Sequence, residues 1–288
     1  MTSGGARPQP GALPIGVVLG SIRADARWWL ESARRLDAAG YRAIWCWDHF
    51  VSRGDRRTPV LEAWTVLTAA AAITQQVTIG TFVANVMNRH PAVLARMAST
   101  LQAVSAGRVA LGIGIGGHPA EHEAYGIEFP DPPERAARLR EAIAVIRSLW
   151  SGGPVDFEGE YFRLHEAHAF PVPDPLPPIL VGAGTPAGIS LAATFGDGWA
   201  AEWDTFEKLE PRYRAALEAA GRDRALQRVV LAFGGWRRRD VPSLTSHPLV
   251  AAPRDEVQRW LAAGADELAI TARTEADVDA LVAATDRW

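Results

Sequence analysis

The sequence predicts an α/β fold, a single closed (β/α)8 or TIM barrel, and three observations predict it. Short β-rich runs alternate with longer amphipathic stretches, the alternation repeats eight times, and no long linker or composition break divides the chain into halves. A length of 288 residues fits as well, because such barrels often use roughly 250 residues as one unit. An open doubly wound sheet is the competing architecture, and alternation alone does not exclude it.

The first unit is Ile15 to Gly20 followed by a helix that ends at Ala38-Ala39-Gly40, and the second begins with Ala43 to Trp47. Val77 to Asn85 precedes a helix over Ala92 to Ser105, Arg108 to Ile115 precedes one over Glu134 to Trp150, and Pro178 to Gly182 precedes one over Ala187 to Phe195. Three weaker pairs follow: Gly198 to Glu202 with Phe206 to Ala220, Val229 to Phe233 with Arg254 to Ala263, and Glu267 to Thr271 with Glu275 to Ala284. Uninterrupted apolar strands such as Ile179-Leu180-Val181 suit a parallel sheet covered on both faces. Residues 1–13, rich in Gly and Pro and poor in large apolar side chains, read as a disordered tail, leaving 14–288 as one domain. Long loops are expected at Gly116 to Pro133, Ser151 to Pro177 and Gly234 to Pro253, on the C-terminal face of the strands where barrels bind ligands.

Composition removes several functions. Lys+Arg number 30 against Asp+Glu 33, a net charge of -3, so the clustered basic excess that nucleic acid needs is missing. The longest N-terminal apolar run is too short to span a membrane and lacks an export signal's pattern, which points to a soluble, unexported protein. A single cysteine, Cys46, permits no intrachain disulfide and fits a reducing cytoplasm. Lys208 is the only lysine, so Schiff-base chemistry has one candidate and no evident apolar pocket around it.

Candidate functional residues follow the strand ends. Strand two runs into Trp47-Asp48-His49, an acid and a histidine side by side; adjacent side chains diverge there, so Asp48 need not orient His49. After Gly80 the run Thr81-Phe82-Val83-Ala84-Asn85 interrupts a plain strand and suggests a bulge or ledge. Gly112, Gly114 and Gly117 formally spell a dinucleotide fingerprint, but no helix opens at once, so they read as room for a flat ligand near the backbone, with Gly116 beside them. His118 and His122 have a metal-ligand spacing, yet Pro119 should disrupt the aligning helix and no third ligand is evident, so no metal is expected. Gly182-Ala183-Gly184-Thr185 reads as a phosphate seat at a helix start, or as a simple cap by Thr185 with Pro186 in the first turn; both roles are compatible. Trp47, Trp203 and Trp236 could wall a substrate pocket, with core packing as the alternative for each, and His118 joins them as a substrate contact. Arg53 to Arg57 reads as a solvated charge run.

These segments together resemble the bacterial luciferase-like monooxygenase superfamily, in particular its branch of coenzyme F420-dependent oxidoreductases. The matching text includes Gly40 to Phe50, Leu61-Glu62-Ala63-Trp64, Ile79-Gly80-Thr81 through Arg89-His90-Pro91, Leu111 to Gly114, Glu121 to Gly126, Phe157 to Tyr161, Pro178 to Gly182 and Asp197-Gly198-Trp199. The resemblance implies a luciferase-like barrel holding F420, or alternatively FMN, at the strand C-termini, and a small organic substrate. It places Asp48 and His49 beside the ring, with His49 as the proton donor or acceptor, and puts a non-proline cis peptide at Phe82-Val83. Asn85 matches a polar position near the cofactor, and Gly182 to Thr185 match the loop at its phosphate. A homodimer is expected, since relatives commonly form one. Sugar-phosphate dehydrogenases of the branch carry a glutamate where this chain has Gly117 and an aromatic where it has Arg53, so that substrate is rejected and His49 stands without a second acid. Phe82 is larger than the residue relatives often carry. Three functions follow in order: an F420-dependent oxidoreductase, an FMN-dependent two-component monooxygenase, and a cofactor-binding member without turnover.

Overall fold

A strand covered on both faces has no polar side to alternate with, and all five residues of β1 (Ile15–Leu19) are buried. The computed structural model describes residues 13–234 and 244–288. The expected N-terminal tail, apart from Leu13, lies outside the described residues; Leu13 itself packs against the core rather than trailing from it.

After β1 come α1 (Ala26–Ala38), β2 (Ala43–Cys46), α2 (Ala63–Ile73), β3 (Thr78–Thr81), β4 (Ala84–Asn85), α3 (Pro91–Val104) and β5 (Val109–Gly114). Next are α4 (Pro119–Tyr125), α5 (Pro132–Leu149), β6 (Val155–Glu158), β7 (Arg163–Ala167), β8 (Ile179–Gly182), α6 (Pro186–Phe195), β9 (Gly198–Glu202) and α7 (Trp203–Ala219). The chain closes with β10 (Arg228–Phe233), α8 (Pro248–Ala251), α9 (Pro253–Ala262), β11 (Glu267–Ala272) and α10 (Glu275–Ala284). Parallel pairing runs from β1 to β2, β3, β5, β8, β9, β10 and β11, and β11 pairs back onto β1 with Ile15 opposite Leu268. The barrel is therefore closed, and the open-sheet alternative is removed.

Four elements lie where the sequence suggested only loops. β6 and β7 form an antiparallel hairpin within 151–177, α4 starts immediately after His118, and α8 is a single turn before α9. Each is short, and the hairpin exposes most of its residues, so no sustained hydrophobic period announces it. Among the described residues, no helix is long and apolar enough to cross a membrane.

The main core lies between strands and helices, while the barrel interior is a smaller cluster of mostly small side chains with Trp45 and Phe82 as its large members. Trp45 requires space on the neighbouring strands: a Cβ at Gly80 would stand 2.5 Å from its ring. Its indole N–H donates to buried Glu267 Oε1 at 2.8 Å, and Glu267 also takes Arg228, so a neutralised carboxylate closes the lower end. Cys46 is buried, and burial pushes its thiol up to about 12, consistent with an inert side chain.

One turn at the lower end is held from both sides. Asp37, at the end of α1, accepts from the N–H groups of Gln75, Gln76 and Val77, each at 2.8 Å. Arg108 donates to the carbonyls of Ala71, Thr74 and Val77 across the same turn. Burial lowers the Arg108 pKa, with Asp37 acting in the opposite direction. Replacing Asp37→Ala orphans three backbone donors and is expected to cost about 2–4 kcal/mol, read as a lower urea midpoint with an unchanged slope.

Candidate active site

The C-terminal ends of the strands surround an open cavity of about 600 Å³. Trp47, Asp48 and His49 reach it from the end of β2; Phe82, Val83 and Asn85 from the segment after β3; Gly116, Gly117 and His118 from the loop after β5; and Gly182 from β8. The sequence thus brought these positions to one place. Thr81 is behind the wall, its hydroxyl donating to Gly112 O at 2.6 Å. Ala183, Gly184 and Thr185 fall outside the lining, and Thr185 caps α6 by accepting from Gly188 N, with Pro186 in the first turn. Trp203 also lies off the lining and stacks on Phe233 at 6.3 Å, so packing accounts for its position. Trp236 is outside the described residues. Arg53, expected to be merely solvated, reaches the cavity wall, and Arg273 covers Trp47 with its guanidinium 5.3 Å from the ring centre.

The wall owes its shape to a detour after β3. The Phe82-Val83 peptide is cis, as the resemblance implied, and the chain rejoins β5 through β4. This detour needs missing side chains on its neighbours. A Cβ at Gly112 would stand 2.0 Å from Thr81 O, and one at Gly114 or Gly182 would stand 2.8 Å from Val83 Cγ2. Gly116 has φ +74° and would drive a Cβ to 2.6 Å from Asn85 Oδ1. Gly112, Gly114 and Gly116 therefore make room for the protein's own bulge, and Gly114, Gly116 and Gly117 also line the cavity. Gly117 alone of this group faces open space.

Asp48 does not hold His49. Its Oδ2 accepts from Asn85 N at 3.0 Å and Arg89 Nη1 at 2.7 Å, while Oδ1 is buried with no partner. Arg89 continues to Glu62 at 2.6 Å. Burial works against the Arg89 charge, but Asp48 and Glu62 outweigh it and raise the pKa. Asn85 Oδ1 accepts from Met87 N at 3.0 Å, which orients the amide, and Asn85 Nδ2 meets His122 Nε2 at 2.8 Å. With Nε2 accepting, His122 carries its proton on Nδ1 and donates to His118 O at 3.1 Å. The His122 side chain is fully buried.

Pro119 occupies the first turn of α4 instead of breaking it, because proline lacks only an N–H that a helix start leaves unused. The helix turns His122 inward towards Asn85 and places Glu121 under His49. Glu121 is 1% exposed; its Oε2 accepts from Phe50 N at 2.8 Å and Val51 N at 3.1 Å and lies 3.4 Å from His49 Nδ1. Burial would raise this carboxyl, but His49 and the two backbone donors outweigh it and hold the pKa at about 2. The His118 ring is also near, and burial lowers its pKa against the pull of Glu121. A carboxylate thus stands beside His49, where the sequence placed none. Glu62, Arg89 and Glu121 were visible only as parts of the resembling text, since their partners are distant in the chain, and His122 stood out for its spacing from His118 rather than for the Asn85 contact it makes.

A family pattern described as luciferase-like monooxygenase matches residues 5–239. The chain belongs to the luciferase-like monooxygenase family. This luciferase-like chain is 35% identical over 219 residues to an F420-dependent hydroxymycolic acid dehydrogenase of Mycobacterium tuberculosis, covering 75% of this chain and 61% of the relative. It is 39% identical over 200 residues to an F420-dependent glucose-6-phosphate dehydrogenase of Kineococcus radiotolerans, covering 67% of this chain and 58% of the relative. The chain thus spans less than two thirds of these curated relatives. Among solved structures, an F420-dependent secondary alcohol dehydrogenase in complex with an F420-acetone adduct superposes with TM-score 0.79 at 22% identity, over 95% of this chain and 99% of the other. That likeness establishes the shared luciferase-like fold.

The bulge supplies a direct check on the site. Gly112→Ala places a methyl group against Thr81 O and is expected to destabilise the protein by about 2–3 kcal/mol. Gly117→Ala meets nothing within 4 Å and is expected to stay within about 0.5 kcal/mol, both measured by urea unfolding.

Proposed function

We propose that this chain is an oxidoreductase that moves a hydride between coenzyme F420 and a small organic substrate, with His49 giving or taking the accompanying proton. The observation that carries the reading is His49 on the wall of a roomy cavity that Phe82 and Val83 also line, in a barrel whose curated relatives are named as F420-dependent. A cavity of about 600 Å³ lies in the range that takes a tricyclic ring. The residues suit such a ring: Phe82 and Val83 offer an apolar support, and the buried, unpartnered Asp48 Oδ1 offers an acceptor. Asn85 and the Gly182 backbone would hold its polar edge and side chain. When bound, F420 supplies hydride chemistry, because carbon replaces the flavin N5 and the reduced form behaves like a nicotinamide.

The chain's own residues then have three tasks. Trp47 and the bulge confine the substrate against the ring, which reduces the cost of bringing two reactants together. His49 exchanges the proton of the oxygen whose carbon gains or loses hydride, as in the interconversion of an alcohol and a carbonyl compound. Glu121, anchored by Phe50 N and Val51 N, fixes the His49 loop from below. Gly117 leaves open space where sugar-phosphate dehydrogenases of the branch carry a glutamate, so the substrate we assign is not a sugar phosphate.

Titration with F420 and, separately, with FMN tests the reading, using quenching of the 11 tryptophans as the signal. Saturable F420 binding is expected; tight FMN binding with none for F420 overturns the assignment. For His49→Ala, turnover is expected to fall by at least about a hundredfold, while F420 affinity stays within about tenfold, or roughly 1.4 kcal/mol. Unchanged turnover in that variant would remove the proton role.

A further inference from the structure

A polar atom sealed from water without a partner is costly, and native structures contain few of them. One stretch of the cavity wall contains three: His49 Nδ1, His118 Nδ1 and Glu121 Oε1. Their side chains converge. Glu121 Oε2 lies 3.4 Å from His49 Nδ1 and 3.7 Å from His118 Nδ1, and one ligand atom from each of the three residues lies within 4.8 Å of the others.

We propose that His49, His118 and Glu121 form a three-ligand site for a divalent cation of the zinc class. The donor set is two imidazoles and one carboxylate, which suits zinc with a fourth position left open. The two separations from Glu121 Oε2, 3.4 and 3.7 Å, are nearer the tetrahedral than the octahedral spacing. Bonds of about 2.0–2.1 Å at a tetrahedral angle separate ligand atoms by about 3.4 Å, whereas octahedral right angles bring them to about 2.9 Å. Hard cations such as magnesium prefer all-oxygen sets and are disfavoured here.

The surroundings support the same assignment. Glu121 is held rigidly by the N–H groups of Phe50 and Val51, the kind of outer partner that orients a metal-binding carboxylate. His118 occupies the position before α4, with no capping bond from its side chain, and Glu121 sits in the first turn, so two of the three ligands lie at one helix start. The His49 and His118 side chains are 29% and 15% exposed, which leaves a path for entry and for a water or other small ligand at the open position. Arg53 acts on His118 in the opposite sense to Glu121 and works against a cation, but the effect of Glu121 on that ring is the larger. The assignment does not depend on F420 chemistry, because it concerns the uptake of metal alone.

The test is calorimetric titration of zinc chloride into the full chain after removal of metal by a chelator. Uptake of one zinc per chain at micromolar or tighter affinity is expected, and cobalt(II) in place of zinc should give the intense visible bands of a tetrahedral site. His118→Ala and His49→Ala, each first shown to melt like the parent, should weaken zinc binding at least about a hundredfold. His165→Ala removes an exposed histidine remote from the cavity, which pairs with Asp156, and should leave the affinity unchanged. Absence of zinc uptake, parental affinity in both cavity variants, or loss of binding only in the His165 variant would each overturn the site.

Discussion

The cavity depends on a steric constraint: where Thr81 to Asn85 leave the barrel wall, the strands on the far side must give up their side chains. Gly112 and Gly114 on β5 and Gly182 on β8 lie under Thr81 and Val83 with no space for a Cβ. Because interiors are packed to near crystal density, such room cannot be borrowed from a flexible neighbour. The same detour sets Asn85 N against Asp48 and the Asn85 amide against His122. A backbone irregularity on one strand thereby orients side chains from three further segments.

Electrostatics then divides the rim into two parts. On one side Asp48, Arg89 and Glu62 form a continuous chain of opposite charges, with Arg89 mostly shielded from water. In such a chain each group satisfies the next, so its main effect is to fix geometry. On the other side Glu121 is satisfied through only one of its oxygens, and two histidines face it without hydrogen-bonded Nδ1 atoms. Each cluster keeps one buried carboxylate oxygen without a hydrogen bond, Asp48 Oδ1 in the first and Glu121 Oε1 in the second, and both border the cavity.

The sequence made the architecture legible because barrel strands repeat a local signal. Ile15 to Gly20, Ile179-Leu180-Val181 and Val229 to Phe233 are apolar without alternation, and each is followed by a helix with a recognisable start or stop. Trp47-Asp48-His49 were legible for a related reason, since strand ends in this fold point to the ligand face. The glycines stand out in the sequence, but not the contact that requires them. Their spacing after β5 carries no record of Val83, which stands against them only once β3 and β5 are adjacent. Pro119 misled for another reason, because the same residue ends a helix from within and begins one from its first turn.

Local pattern alone determined that this chain alternates strand and helix eight times and that Asp48 and His49 follow the end of the second strand. Tertiary structure decided which groups meet. The pairing to examine among the histidines was not His118 with His122, four residues apart, but His118 with His49 and Glu121, joined across about seventy positions only when β2 and the helix after β5 come to the same rim. The physical reason is that hydrophobic periodicity is written within a few residues, whereas a hydrogen bond or an ion pair depends on the positions of two side chains that the chain brings together only on folding.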